Sequence, residues 1–278
     1  MIELNKVHIS FSELSEYLGC SFKHYLGYTK KLKKDSDSIH LTFGKIIHST
    51  IEKFLKKELT RNQAVMYFVS SLINTDTMKK YRLAELEKFK TQGLKILFEL
   101  FNKYSWDKIV IIENEFSLYE PIFGNFYFKG FIDFIYKYGN YIYIADFKTT
   151  TKEWNHFKLE DKYYGLQLKL YKYFYAKKFN IPLDNIKLVY IVLNRNDDNE
   201  KLKSLIDVKN VPSSASDIKK AYSLLIEALN TIYGNSNGNY LRQTIGFNCN
   251  ICEFNGTEHC GGNIKTRFYR QIIKKEVS

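Results

Sequence analysis

The stretch GFIDFIYKYGNYIYIADFKTT, residues 130–150, constrains this chain more than any other. It reads as two apolar strands around a Gly139-Asn140 turn, yet Asp133, Asp146 and Lys148 interrupt them. A Gly-Asn pair suits a two-residue II′ turn. That turn sets Tyr138 against Tyr141, and running the ladder back puts Asp133 opposite Asp146. Side chains alternate along a strand, so Lys148 shares the face of Asp146. Opposed carboxylates have Cβ atoms about 5 Å apart. At an effective dielectric of 20, two unit charges at that distance repel by roughly 3 kcal/mol. A divalent cation between them removes the conflict, and oxygen ligands suit Mg²⁺ or Mn²⁺. The competing expectation is a bulge that slips the register and turns the acids separately to solvent. A cation held this way polarises a phosphodiester and acidifies a bound water. A neighbouring lysine orients that water or stabilises developing negative charge. The local chemistry is therefore that of metal-assisted phosphate-ester hydrolysis.

The rest of the chain is consistent with such a substrate. Its 278 residues allow one large domain or two modest ones, and the net charge of +12 favours a polyanionic partner. The lysines of KKLKK, residues 30–34, and Arg195 are candidate phosphate contacts. Tyr163, Tyr164 and Tyr171 are candidates for stacking on unpaired bases. No apolar run is long enough for a membrane span, and no signal-peptide pattern opens the chain, so the expected location is cytoplasmic. No GxxxxGK[ST] loop is present, so a helicase or recombination motor is expected only as a partner.

Periodicity sets the architecture. Ser10 and Glu13 have capping-box spacing ahead of a first helix, and a second runs from about Phe43 through GKIIHSTIEKFLKKEL. Residues 62–104 read as helical with a break near Asn74-Thr75. Residues 109–119 and 126–148 then give three strands, antiparallel, with turns at Gly124-Asn125 and Gly139-Asn140. A helix at about 161–179, a strand at 186–194 and a helix with Ser216 as N-cap follow. The order predicts a mixed α/β layer fold with added helices.

Four cysteines remain: Cys20, then Cys249, Cys252 and Cys260 in a C-x2-C-x7-C run. In a cytosolic chain this pattern indicates a metal site rather than disulfides. Four thiolates make a tetrahedral Zn²⁺ site and equally hold a [4Fe–4S] cluster, and spacing does not separate the two.

Asp133 followed by Asp146-Phe147-Lys148 resembles the PD-(D/E)XK nuclease signature, and more closely its RecB-like branch. GKIIH (Gly44 to His48) matches that branch's GxxxH helix, GFID (Gly130 to Asp133) its GxxD strand, DFKTT its D-x-K strand, and YGLQLKLY (Tyr164 to Tyr171) its QxxxY helix. All four occur in family order. One N-terminal and three C-terminal cysteines around them are similar to iron–sulfur nucleases of the AddB and CRISPR-adaptation types, which favours [4Fe–4S] over Zn²⁺.

The resemblance implies a restriction-endonuclease-like mixed sheet flanked by helices, with a helical insertion at about 60–105 and a catalytic core at about 106–195. A Cys-ligated Fe–S lobe would combine about 1–40 with 245–265, all within one nuclease domain spanning 1–278. It implies His48, Asp133, Asp146 and the Phe147 carbonyl as ligands of Mg²⁺ or Mn²⁺, Lys148 as the water-positioning or charge-stabilising group, and Gln167 and Tyr171 as DNA-contacting or orienting groups. Glu115 is a further candidate acid. The implied activity is a deoxyribonuclease, an exonuclease on DNA ends or single strands. The alternative is a nuclease-like module that binds DNA without cleaving it.

Overall fold

The computed structural model describes residues 7–32, 38–103, 106–151, 154, 163–195, 204–234, 249 and 252–260. Lys33 and Lys34 of the basic cluster, the Gly/Asn-rich 235–248 and the expected helix start at 161–162 lie outside them. The chain divides into two compact units. One comprises Met1–Asp35, Ile122–Phe128 and Ser223–Ser278, and the other Ser36–Pro121 and Lys129–Tyr222.

The first unit contains strand β1 (Val7–Ser10), helix α1 (Phe11–Gly19), the short α2 (Ser21–His24) and a π-helical turn at Tyr25–Thr29. The expected cap starts α1: the Glu13 amide donates to Ser10 Oγ at 3.2 Å. Cys20 lies between α1 and α2, where its Sγ accepts from the Lys23 amide. Between them, Glu13 and His24 form a buried pair at 3.0 Å. At the other end of the chain, Cys252 donates its amide to the Cys249 carbonyl, and Gly256, at φ +78, turns the backbone so that its amide reaches Cys260 O.

The second unit carries the layers. Helices α3 (Ile39–Leu55), α4 (Arg61–Asn74), α5 (Asp76–Lys79) and α6 (Leu83–Lys103) precede strands β2 (Val110–Phe123), β3 (Phe126–Tyr138) and β4 (Tyr141–Thr150). Helix α7 (Leu166–Phe179), β5 (Ile186–Asn194) and β6 (Ile206–Asn210) follow, then α8 (Ala215–Gly234), whose residues from Ser223 on belong, like Ile122–Phe128 around the β2–β3 turn, to the first unit. The break expected at Asn74-Thr75 is the α4 C-terminus, after which Thr75 takes an extended conformation. The helix expected to begin near Phe43 is α3, which begins at Ile39, and Ser214 rather than Ser216 exchanges hydrogen bonds with Asp217 at the start of α8. Strand β6 is an addition to the sequence reading. Its five residues, IDVKN, are too few and too polar to stand out by periodicity, and pairing with β5 supplies what propensity does not.

The sheet is mixed. β3 pairs β4 antiparallel, β4 pairs β5 parallel, β5 pairs β6 antiparallel, and β2 lies against β3. The parallel pair requires a crossover, and α7 lies within it. At the β3–β4 turn Gly139 has φ +57 while Asn140 is outside the positive region, as a II′ turn requires. The predicted register follows, with Tyr138 facing Tyr141 and Phe134 facing Ala145. One core packs Ala145, Phe147, Val189, Ile191 and Leu193 of the sheet against Phe43, Ile47, Ile51, Phe68 and Leu97 of the helices. Helix α7 is buried nearly all round, so its apolar residues show no single stripe; even Lys172 is buried, donating to the Ser213 carbonyl and hydroxyl.

Candidate active site

The β3–β4 register brings Asp133 to the edge of the paired stretch, one residue beyond Phe134–Ala145. There its carboxylate takes over a ladder role: Oδ2 accepts the Phe147 amide at 3.0 Å. His48, in the third turn of α3, places Nδ1 3.4 Å from the same oxygen and packs its ring edge-on to Phe147. Gly44, one turn earlier, lets α3 approach β4, since a Cβ there would stand 3.2 Å from Thr149 Oγ1. Asp146 is buried, with 2% of its surface exposed. Lys148 Nζ sits 2.5 Å from Asp146 Oδ2, off the hydrogen-bonding direction, so that buried oxygen makes no hydrogen bond.

Beyond Lys148 a chain of hydrogen bonds runs into α7. Lys148 Nζ donates to Gln167 Oε1 at 3.2 Å, and Gln167 Nε2 donates to the Tyr171 hydroxyl at 3.1 Å. The Phe131 backbone is hydrogen-bonded to that same hydroxyl. The four-residue spacing of Gln167 and Tyr171 is what stacks them on one face of the helix. Tyr171 fits only because residue 130 is glycine: a Cβ there would lie 2.6 Å from Tyr171 Cε1.

The electrostatics follow from crowding. Burial and then the Asp146 charge push the Asp133 carboxyl well above the usual carboxylate range. Burial pulls His48 down to about 4, so its imidazole is neutral and free to ligate across the physiological range. Glu115 adds a third acid. It adopts φ +55 within β2, a left-handed conformation that costs a non-glycine residue roughly 1–2 kcal/mol. Its carboxyl is raised by burial and by Glu52, with Asp146 adding to the effect. Burial likewise raises Tyr171, which stays a neutral phenol.

Among the described residues no three His, Cys, Asp or Glu side chains are gathered into a ready-made cage. The donor set nevertheless suits a divalent cation: a neutral imidazole, two carboxylates that repel each other, and a buried Asp146 oxygen lacking a hydrogen bond. In the first unit, burial raises the Cys252 thiol, and the charges acting on it come from Lys23, Cys20 and Cys260. The two ends of the sequence thus share one neighbourhood, and none of the four thiols is in a disulfide.

Two expected DNA contacts sit elsewhere. Arg195 is 5% exposed, clamped over the Phe43 and Phe89 rings with Nη2 on His40 Nδ1, and so faces the core instead of solvent. Its position at the end of the apolar strand β5, where its amide bonds Thr150 O, explains the burial. Tyr171, 4% exposed, is locked into the hydrogen-bond chain and has no free ring face for a base. Tyr164 is half-buried, with its hydroxyl on Asn210 O and its ring against Tyr190 and Trp154. One residue was passed over in the sequence: Phe131, between Gly130 and Asp133, with half its surface exposed.

The model of the PD-(D/E)XK nuclease superfamily matches residues 8–257. Over 205 residues the chain is 27% identical to a subunit of the ATP-dependent helicase/deoxyribonuclease of Alkaliphilus oremlandii, covering 59% of this chain and 17% of that protein. It is also 27% identical over 207 residues to the protein of the same name from Clostridium perfringens, covering 61% and 17%. The chain thus spans about a sixth of the length of these curated relatives. The crystal structure of SSO0001 aligns with a TM-score of 0.33 at 15% identity, over 87% of this chain and 94% of that one, a likeness too low to argue from.

Proposed function

The chain belongs to the PD-(D/E)XK nuclease superfamily, and from that premise we propose that it is a metal-dependent deoxyribonuclease, an exonuclease acting on DNA ends or single strands. The observation that carries the reading is the set Asp133, Asp146, Lys148, Gln167 and Tyr171, with a lysine held by a hydrogen bond to Gln167 and an ion pair to Asp146 beside two conflicting carboxylates. A Mg²⁺ or Mn²⁺ ion held by His48, Asp133, Asp146 and the Phe147 carbonyl would supply Lewis acidity at the scissile phosphate. The protein's own groups do the rest. Lys148 presents its ammonium to the attacking water and to the charge that develops on phosphorus-bound oxygen. Gln167 and Tyr171 fix where that ammonium sits, which limits the search for a reactive geometry.

Cys20, Cys249, Cys252 and Cys260 hold a [4Fe–4S] cluster in this reading, with Zn²⁺ as the competing occupant. The shared surroundings of Cys20, Cys252 and Cys260 support a common metal centre of either kind. Its role is to staple the chain's ends, since closing a long loop and gaining metal bonds on folding both stabilise. The names of the relatives support a helicase as partner in acting on DNA. Among the described residues no helix is long and apolar enough to cross a membrane.

The test is digestion of end-labelled single-stranded DNA with Mn²⁺ by anaerobically purified protein and by Asp146→Ala. Mn²⁺-dependent shortening by the unaltered protein alone is expected. Binding without cleavage would favour the non-cleaving module.

A further inference from the structure

We propose that Phe131 is a base-stacking residue that selects unpaired DNA at the cleavage site, an inference that rests on the nuclease reading above. Three observations on one strand carry it. Phe131 is a large apolar side chain left 49% exposed in β3, where the residues on either side, Gly130 and Ile132, are buried. It lies two residues before Asp133, so alternation sends both side chains to the same side of the strand, with Cα atoms about 7 Å apart. Its backbone is hydrogen-bonded to the Tyr171 hydroxyl, the end of the chain that begins at Lys148. The ring is therefore exposed to solvent, on a backbone tied to the same hydrogen-bond chain as the reacting groups. A flat apolar ring beside a phosphate-cleaving centre fits the face of a nucleobase, and every base offers one. Paired bases inside a duplex have both faces covered by their neighbours, so the contact is open along a single strand and closed along a duplex except at its terminal pair.

The experiment measures fluorescence anisotropy of the full chain with dye-labelled single-stranded and blunt duplex oligonucleotides in Ca²⁺, and cleavage of both in Mn²⁺. Phe131→Ala should weaken single-strand binding about 5- to 100-fold, raise KM in step, and leave duplex binding within about twofold. Phe131→Tyr, which keeps the π face, should restore wild-type values, and Phe131→Leu should not. Unchanged single-strand affinity in Phe131→Ala, or equal loss on both substrates, overturns the proposal. Failure of the nuclease reading is a separate result: no Asp146-dependent cleavage by the unaltered protein, whatever the Phe131 variants bind.

Discussion

Gly130→Ala isolates the link between packing and chemistry. Gly130 is outside the positive-φ region, so alanine meets no backbone resistance and its effect is steric. The new methyl would stand 2.6 Å from Tyr171 Cε1 and 3.1 Å from its hydroxyl oxygen. Carbon–carbon contacts prefer about 3.5–4.0 Å, so the ring must retreat by about 1 Å. Tyr171 is buried, so that movement displaces its neighbours and costs about 1–3 kcal/mol. For a domain of this size the melting temperature falls by about 2–4 °C per kcal/mol. The retreat also stretches the 3.1 Å Gln167–Tyr171 bond beyond hydrogen-bonding range and frees Gln167 to release Lys148. Misplacement on this scale costs about 100-fold in rate. The assay is kcat on end-labelled single-stranded DNA beside a thermal melt. Gly139→Ala is the control from the same hairpin. Nothing lies within 4 Å of its added methyl, but φ is +57, so it loses about 1–2 kcal/mol of stability to strain while kcat stands. Wild-type kcat and melting temperature in Gly130→Ala would refute the packing account of Tyr171.

Other expectations follow from the same contacts. Lys148→Met should lower kcat by about 10²–10³ with DNA affinity nearly kept, measured by single-turnover cleavage and anisotropy. Gln167→Leu should lower kcat by about 100-fold with KM unchanged, because it removes the acceptor that orients the ammonium and leaves the ammonium itself. Cys252→Ser should bleach the brown absorption near about 400 nm and destabilise the protein, whereas a colourless, zinc-containing wild type would assign the site to Zn²⁺. Lys172 gives a pH dependence. Burial lowers it from 10.5 to about 8, so between those values the unfolded chain binds the extra proton and stability rises with pH, by at most about 3 kcal/mol. Urea melts at pH 7.5 and 10 should show this rise in wild type and lose it in Lys172→Met; equal slopes would count against it.

The hairpin was legible because its constraint is local. A Gly-Asn turn fixes the register, and the register fixes which side chains meet, so Phe134–Ala145 followed from Tyr138–Tyr141. The QxxxY pair was legible for the same reason, a helical repeat of four residues. What the sequence withheld depends on tertiary context. Asp133 bonds the Phe147 amide through its side chain, which no pairing rule anticipates. Arg195 reads as a surface charge until β5 carries it beneath His40 and two phenylalanines. The strain at Glu115 has no signature in ENEF, and Phe131 is one aromatic among many until its neighbours are seen to be buried.

The central claim is that Asp133, Asp146 and Lys148 form a metal-dependent cleavage centre. The most direct measurement is Mn²⁺-dependent shortening of end-labelled single-stranded DNA by anaerobically purified wild type and by Asp146→Ala, with matched melting profiles. Rapid degradation by wild type, abolished by EDTA and by the substitution, is the predicted result. Equal degradation by both proteins would contradict it.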